Sequence, residues 1–408
     1  MSAARALPAA IGTRAGLLTC AFYAACFTAV GAHLPFWPVW LADWGLSEAE
    51  IGAYLGAGLA FRIGANALMG AVADRYALRR LLLGSLGLAS ALVFLAHLAV
   101  ETKAALFVLT LLVTTTLSPM IPLGEALGLR AAQRGGFPYA HARAAGSIAF
   151  LLSNMAVGWA IAAQGADAAL WTLVLATAAA GAIGFIHPGG GAPPGADKGL
   201  DTARLREGFA LFRIPALAYF ALAAAMAQAA HATYYLYGSI EWARQGIGAA
   251  TIGQLWATGV VAETVLMLGP GAVWVARLGP VRALAIGAGI GALRFAAMML
   301  EPPLAFLWPL QALHALSFGL VHLATMAYVA ESIPPRMAAS GQGVLLGLTS
   351  GIAMAVATLL AGWLTGAAGV AAAWGMAAAL GLGAVGAAIA SGRAAPQGAQ
   401  PYFTDRIS

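Results

Sequence analysis

The sequence predicts an all-α integral membrane protein with twelve transmembrane helices in two groups of six. Three observations predict it. Of 408 residues, 61% are hydrophobic and only 9% are charged, against about 25% charged in soluble domains. That much apolar surface cannot be hidden from water in one core, so lipid must be the solvent. Apolar runs of the length that crosses a bilayer, about 20 residues, recur along the whole chain, and their continuity excludes a β-barrel. The two halves also match. One constant shift carries Ile51-Gly52 onto Ile252-Gly253, Gly58 onto Gly259, Gly70 onto Gly271 and Arg62 onto Glu263. Related halves with ionisable residues at matching mid-span positions suit a two-bundle transporter.

The first span is expected over 15–41. Arg5 and Arg14 precede it and no cleavage site follows, so it reads as an uncleaved helix and not a leader. Cys20 and Cys26 lie within it on different faces and imply packing, not a disulfide framework. Pro35 and Pro38 weaken its last turns, which suits an outer gate. Phe36, Trp37 and Trp40 also suit an interfacial aromatic belt.

The second span, 49–72, places Arg62 and Asn66 four apart on one face. Arg62 can counter Glu125 or a substrate carboxylate, or serve structure alone. The loop from Gly70 through Asp74, Arg75, Arg79 and Arg80 leads into the third span, 79–99. Gly70 is expected to allow close helix approach, and the arginines hold the loop at the membrane face.

The fourth span, 104–128, carries Glu125 near its end, and the fifth, 138–163, opens with Arg143. A charge inside a span costs roughly 2.5–3.5 kcal/mol on insertion scales. Opposite charges at the facing ends of consecutive spans offset that by pairing, either as a structural ion pair or around a polar solute. His33, Arg62 and Phe150 are further candidates for that solute. The sixth span is expected over 168–187.

Pro188 to Gly195 reads as a flexible linker. A short amphipathic helix is expected from Asp201 or Thr202 to Phe212, with Leu205, Phe209 and Phe212 on the membrane and Arg204, Arg206 and Arg213 at the headgroups. The expected domains are therefore 1–187, a linker over 188–213, a second bundle over 214–390 and a tail over 391–408.

The second half has spans near 215–240, 250–274, 281–300, 303–330, 339–363 and 368–390. Gln228, His231, Tyr234, Tyr235 and Tyr237 fall on the first of these, then Glu263, Arg294, and finally His314 with His322. None of the ionisable side chains faces lipid cheaply. They form either a static polar network or a proton path. Gly52/Gly56 and Gly287/Gly291 read as helix-packing sites.

Lys103 and Arg244 alone sit in one set of loops. Arg62 and Arg294 lie in spans, and the other basic residues occupy the opposite loops and both tails. The positive-inside rule then makes both termini cytoplasmic, in a bacterial inner membrane. The net charge of +6 forms no patch, so nucleic acid is excluded as a partner. The chain has no metal, cofactor or enzyme motif, and nothing in it demands a protein partner, so a monomer is expected.

The run Gly70-x3-Asp74-Arg75-x3-Arg79-Arg80 resembles the signature loop of the major facilitator superfamily, which there helps latch two six-helix bundles. The equivalent loop of the second half keeps Gly271, Arg277 and Arg282 but has Val275 in place of the acid. The stretch Gly31 to Leu41 is similar to the first-span end of lactose-permease-like and phenylpropionate-permease-like symporters.

Glu125, Arg143 and Gly146 match residues that contact sugar in the lactose-permease group, though Phe150 stands where that group has Trp. Glu263, Arg294 and His314 match that group's Glu, Arg and His on spans eight, nine and ten, with Ser317 where the group has a carboxylate implicated in proton coupling. His231 to Tyr235, and His314 through His322, resemble the phenylpropionate-permease group more closely. The resemblance implies proton-coupled uptake of a small aromatic carboxylate by alternating access. Glu125, Arg143, Phe150, His33, Arg62 and Tyr234 would bind it. Glu263 would carry the proton with Arg294, His314 and His322. Sugar or nucleoside symport, and drug-like efflux, are the alternatives.

Overall fold

The computed structural model describes residues 12–190, 209–333 and 338–395, apart from the side chains of Asp74 and of residues 338–340. Arg204, Leu205, Arg206 and the expected cap Asp201 or Thr202 lie outside the described residues, as do both chain ends and Arg336.

Among the described residues, twelve helices are long and apolar enough to cross a membrane. They are α1 (Arg14–Asp43), α2 (Glu48–Arg75), α3 (Arg79–Ala99), α4 (Lys103–Gly135), α5 (Tyr139–Gln164) and α6 (Asp167–Ile186). The second half supplies α7 (Pro215–Arg244), α8 (Ala249–Leu268), α9 (Pro280–Met298), α10 (Leu304–Ser332), α11 (Gly341–Ala368) and α12 (Val370–Ala394). No strand occurs among the described residues.

The ends have local causes. Thr13 caps α1 by accepting from the Gly16 N–H at 3.1 Å, and Thr102 caps α4 from Ala105 at 3.3 Å. Gly136, at φ 66°, stops α4 in the left-handed conformation. Pro215 and Pro280 open α7 and α9 where no backbone N–H is needed. Within the spans, Thr19, Thr110, Thr177, Thr325 and Thr358 each return their hydroxyl to the carbonyl four residues back. That satisfies polar groups where water is missing.

Four helices are irregular within their length among the described residues, α11 by a π-helical stretch over Gly347–Ala353. The helix of α4 is interrupted at Ser118-Pro119 and then continues to Gly135, further than the sequence suggested. Glu125 therefore sits in the body of the helix and not at its end. The helix of α7 is interrupted at Ala230-His231, and α10 contains a π-helical stretch over Ala315–Leu320. The eighth span ends earlier than expected, at Leu268, and Pro270 introduces a separate short helix, Gly271–Leu278.

The chain forms two compact units. One comprises residues 1–47, 57–200 and 242–257, and the other residues 48–56, 201–241 and 258–408. In the first, α1 packs on α5 and α6, and α3 on α6, around Phe22, Tyr23, Leu83, Met120, Leu123 and Leu127. The α3–α6 contact depends on small residues, since a Cβ at Gly87 would lie 2.5 Å from Gly181 Cα. In the second, α9 and α7 pack on α12 around Leu217, Phe220, Leu284, Leu320 and Tyr328. Phe220 stacks on Tyr328 at 3.6 Å between ring centres. Gly52 meets Gly362 backbone to backbone, and Gly287 meets the Leu316 carbonyl, as the glycine spacing suggested.

Two expectations are corrected. Phe36, Trp37 and Trp40 are buried, so they are not a lipid-facing belt. Trp37 stacks on Trp40 at 4.8 Å in an interior nest, with Phe94 and His97 edge-on to Trp37. Trp40 also donates to Asp167 at 2.9 Å. Gly70 does not bring helices together here, because a Cβ there would meet nothing within 4 Å. At the other end of the linker, Leu211 is buried in the second unit's core while Phe209 is exposed.

Candidate functional site

Each unit holds its own polar cluster. In the first unit, Arg143 Nε lies 3.4 Å from Glu125 Oε1, with both side chains partly open at 30% and 45% exposure. The guanidinium stands over the Phe27 ring at 4.1 Å and near Tyr23 at 5.7 Å. Gly146 makes this possible, since a Cβ there would sit 2.9 Å from the Phe27 ring and 3.4 Å from Arg143 Nη1. The Tyr23 hydroxyl lies 3.2 Å from that of Tyr139, and Gly128 leaves it room. The result is a cation against aromatic faces, with N–H groups left over for an anion.

The sequence singled out Glu125, Arg143 and Gly146 but missed Phe27, Tyr23 and Tyr139. The four-residue spacing of Tyr23 and Phe27 on α1 was the available signal.

The other candidates of this unit fall elsewhere. His33 stacks on Trp37 at 5.8 Å and packs edge-on to Phe94, inside the aromatic nest. Phe150 is half-buried further along α5, and its carbonyl faces Gly31 on α1. Arg62 is half-buried on α2. Its neighbour Asn66 accepts from Ser118 at 2.9 Å, tying α2 to the interruption in α4. Arg75 and Arg80 are exposed and Arg79 is half-buried at the loop between α2 and α3. Ala77 turns that loop with φ 55°.

The second unit holds a chain of partners around Arg294, which is fully buried. Its Nε donates to the Leu310 carbonyl at 2.8 Å, and its Nη2 donates to Gln311 Oε1 at 3.0 Å. Its Nη1 lies 3.5 Å from His314 Nδ1. Its plane also stands over the Tyr234 ring at 4.6 Å, and the Tyr234 hydroxyl donates to Gln311 Oε1 at 3.0 Å.

A guanidinium can only donate, so His314 Nδ1 is the acceptor and a neutral His314 carries its proton on Nε2. That nitrogen faces Glu263 Oε2 at 3.6 Å. The imidazole thus stands between a fixed cation and a carboxylate, with its one proton directed at the carboxylate. The second ring on this path, His231, donates from Nδ1 to the Ala227 carbonyl at 3.0 Å. Its Nε2 then accepts from the Ser317 hydroxyl, 3.4 Å away.

His231 sits at the interruption of α7, and Ser317 and Phe318 sit in the π-helical stretch of α10. Irregular turns of this kind are tolerated in membrane helices where they serve a site. Along α10, His314 stacks on Phe318 at 5.1 Å and Phe318 on His322 at 6.3 Å. His322 is linked to the cluster by that ring column. Gln311 had no signal of its own in the sequence as a member of the network, because a Gln in a span is common, whereas Ser317 stood out only as the replacement for a carboxylate. The Gln311 amide nitrogen is buried with no hydrogen-bond partner among the described residues.

The chain matches the MFS_1 like family over residues 18–376. It is 31% identical over 341 residues to the probable 3-phenylpropionic acid transporter of Escherichia coli strain K12, covering 83% of this chain and 88% of that protein. It is also 31% identical over 352 residues to the maltose permease of Geobacillus stearothermophilus, covering 84% and 86%. Among solved structures, the nucleoside transporter NupG superposes with a TM-score of 0.79 at 18% identity, over 93% of this chain and 100% of that one. A peptide transporter of the POT family superposes with a TM-score of 0.73 at 14% identity, over 97% and 99%. These structural likenesses speak to the fold.

Proposed function

Because this chain belongs to the MFS_1 like family of membrane transporters, we propose that it takes up a small aromatic carboxylate together with a proton, by alternating access. It is an integral, multi-pass membrane transporter with twelve spans. The substrate and the coupling ion are our reading.

The observation that carries the substrate class is the Arg143 guanidinium held 4.1 Å over Phe27 beside Glu125. An aryl carboxylate needs a cation for its charge and aromatic faces for its ring, and that cluster offers both. The relative named a probable 3-phenylpropionic acid transporter supports the same class. Glu125 has two roles available. It holds Arg143 while the site is empty, and it must yield part of that contact when an anion binds.

Coupling is assigned to Arg294, His314 and Glu263. Arg294 is fixed by several donations and cannot lose its proton. Glu263 is therefore the group that changes state, with His314 as the switchable contact between them. His322 extends the path along α10. The assignment of both termini to the cytoplasm of a bacterial inner membrane rests on the Lys and Arg distribution.

The test is uptake of labelled 3-phenylpropionate into vesicles of purified protein, with and without an imposed inward proton gradient. Accumulation driven by the gradient and lost in Arg143→Ala is the expected result. A second reading, sugar symport, is favoured by one observation, the maltose permease at the same identity. Accumulation of labelled maltose, with none of phenylpropionate, would establish it instead.

A further inference from the structure

The cluster of the second unit holds one fixed cation, Arg294, and one carboxylate, Glu263. Gln311 on α10 stands beside the cation and is uncharged. It is fully buried. Helix α8 passes close to it, since a Cβ at Gly259 would lie 3.5 Å from both the Gln311 carbonyl oxygen and His314 Cβ. Glu263 follows one turn further along α8, where a Cβ at Gly319 would lie 3.2 Å from its Cγ.

The Gln311 amide has one possible orientation. Arg294 Nη2 and the Tyr234 hydroxyl both meet the same end of it, each at 3.0 Å. A guanidinium can only donate, so that end is the oxygen. The amide nitrogen is turned away. It is buried and has no hydrogen-bond partner among the described residues, which is an unfavourable state for a donor.

On structural grounds alone a glutamate would fit this position better. It has the same shape. Its carboxylate would accept from the same two donors, more strongly because of its charge, and would leave no N–H orphaned. The amide is the weaker structural choice, and what it alone supplies is neutrality.

Neutrality matters for the groups beyond it. Arg294 Nη1 lies 3.5 Å from His314 Nδ1, and His314 Nε2 faces Glu263 Oε2 at 3.6 Å. An ionised carboxylate within a membrane span depends on a nearby positive charge. A second carboxylate bound to Arg294 would cancel that charge, and Glu263 would then keep its proton. Resting on the proton role proposed for Glu263, we propose that Gln311 is a positioning residue for coupling. It fixes the Arg294 guanidinium by hydrogen bonding and leaves its charge uncancelled for Glu263.

The test is an infrared titration of the full chain in neutral detergent, following the carboxylic-acid C=O band, with the thermal unfolding midpoint read alongside. Neither measurement needs a transported substrate. The Glu263 band is the part of the native signal that is missing in Glu263→Gln. The other ionisable groups around the pair are Arg294 on α9, His314 and His322 on α10, and His231, Tyr234 and Tyr235 on α7. None of them contributes to such a band.

In Gln311→Glu the Glu263 band should persist about one pH unit or more above the point where the native chain loses it. The midpoint at neutral pH should be no lower than that of the native chain. Adding Glu263→Gln should remove the persisting band, because the new acid stays ionised beside Arg294. Gln311→Met, which deletes the acceptor and adds no charge, should do the reverse. Its midpoint falls, and its Glu263 band titrates with the native one. A merely structural role would leave the band in place in both variants.

A Glu263 band that titrates alike in the native chain and in Gln311→Glu overturns the proposal and leaves the role of Glu263 standing. So does a band that survives in the double variant, or an equal displacement in Gln311→Met. A Gln311→Glu chain that unfolds more easily, or does not fold, also overturns it, because the amide is then the better structural fit. A native chain with no band lost in Glu263→Gln overturns both the proposal and the proton role of Glu263.

Discussion

His187, just past the end of α6, is fully buried and packs edge-on against Phe22. Its Nδ1 accepts from the Gly189 N–H at 3.2 Å. Burial, and secondarily the Arg80 charge, push its pKa down to about 4. The unfolded chain, with a pKa near the ordinary 6.5, therefore takes up the proton first. Stability from this group is complete above about 6.5, falls as the pH drops toward 4, and levels off below that. The full effect is up to roughly 3 kcal/mol. His187→Asn keeps an acceptor for Gly189 but does not titrate. Unfolding midpoints between pH 7 and pH 4.5 should therefore fall less steeply in that variant than in the native chain.

Glu263 makes the second prediction at this scale. If it carries the proton, Glu263→Gln should still exchange labelled for unlabelled substrate across the membrane. Gradient-driven accumulation should drop about tenfold or more, because the coupled step is lost and binding is not. Accumulation that survives in the variant moves the proton to another group, of which His322 is the next on α10.

At the scale of elements, glycines decide how closely helices approach. A Cβ at Gly181 would meet the Leu88 nitrogen at 2.7 Å and the Gly84 carbonyl at 2.9 Å. Both are backbone atoms that cannot swing away. Gly181→Val should then force α6 from α3 and destabilise by about 1–3 kcal/mol, as overpacked cores do. Gly70→Ala adds a methyl where nothing lies within 4 Å and should not lower the unfolding midpoint, since alanine also favours the helix over glycine. A similar loss from both substitutions would mean that the close α3–α6 contact does not control stability at Gly181.

The helix interruptions belong to this scale too. The one at Ser118-Pro119 was readable, since the proline has no N–H to give. The one at His231 was not, because Ala230-His231-Ala232 carries no breaker. Its causes are tertiary: the ring is held by the Ala227 carbonyl and by Ser317 on α10.

For the whole molecule, the nature of the substrate sets what can drive it. A monoanion entering with one proton moves no net charge. A pH gradient drives it and a voltage does not. A neutral sugar entering with one proton moves one charge, for which 100 mV supplies about 2.3 kcal/mol, roughly fiftyfold in concentration. An imposed voltage without a pH gradient should therefore leave phenylpropionate unaccumulated. Voltage-driven accumulation of that anion would require more than one proton per cycle.

The sequence by itself determined the solvent, the number of spans and the charges that must be buried. All of these follow from composition and from runs of about 20 residues, which are local properties of the chain. It also placed Glu125 with Arg143, because consecutive spans leave little freedom in how they meet. The partners of every other buried charge were decided by tertiary structure. Arg294 is held by Gln311, Tyr234 and the Leu310 carbonyl, and His33 lies among Trp37 and Phe94. The physical reason is register. Which side chain faces which depends on the rotation and axial offset of each helix, and those are set by contacts such as Gly87 on Gly181 between residues far apart in the chain.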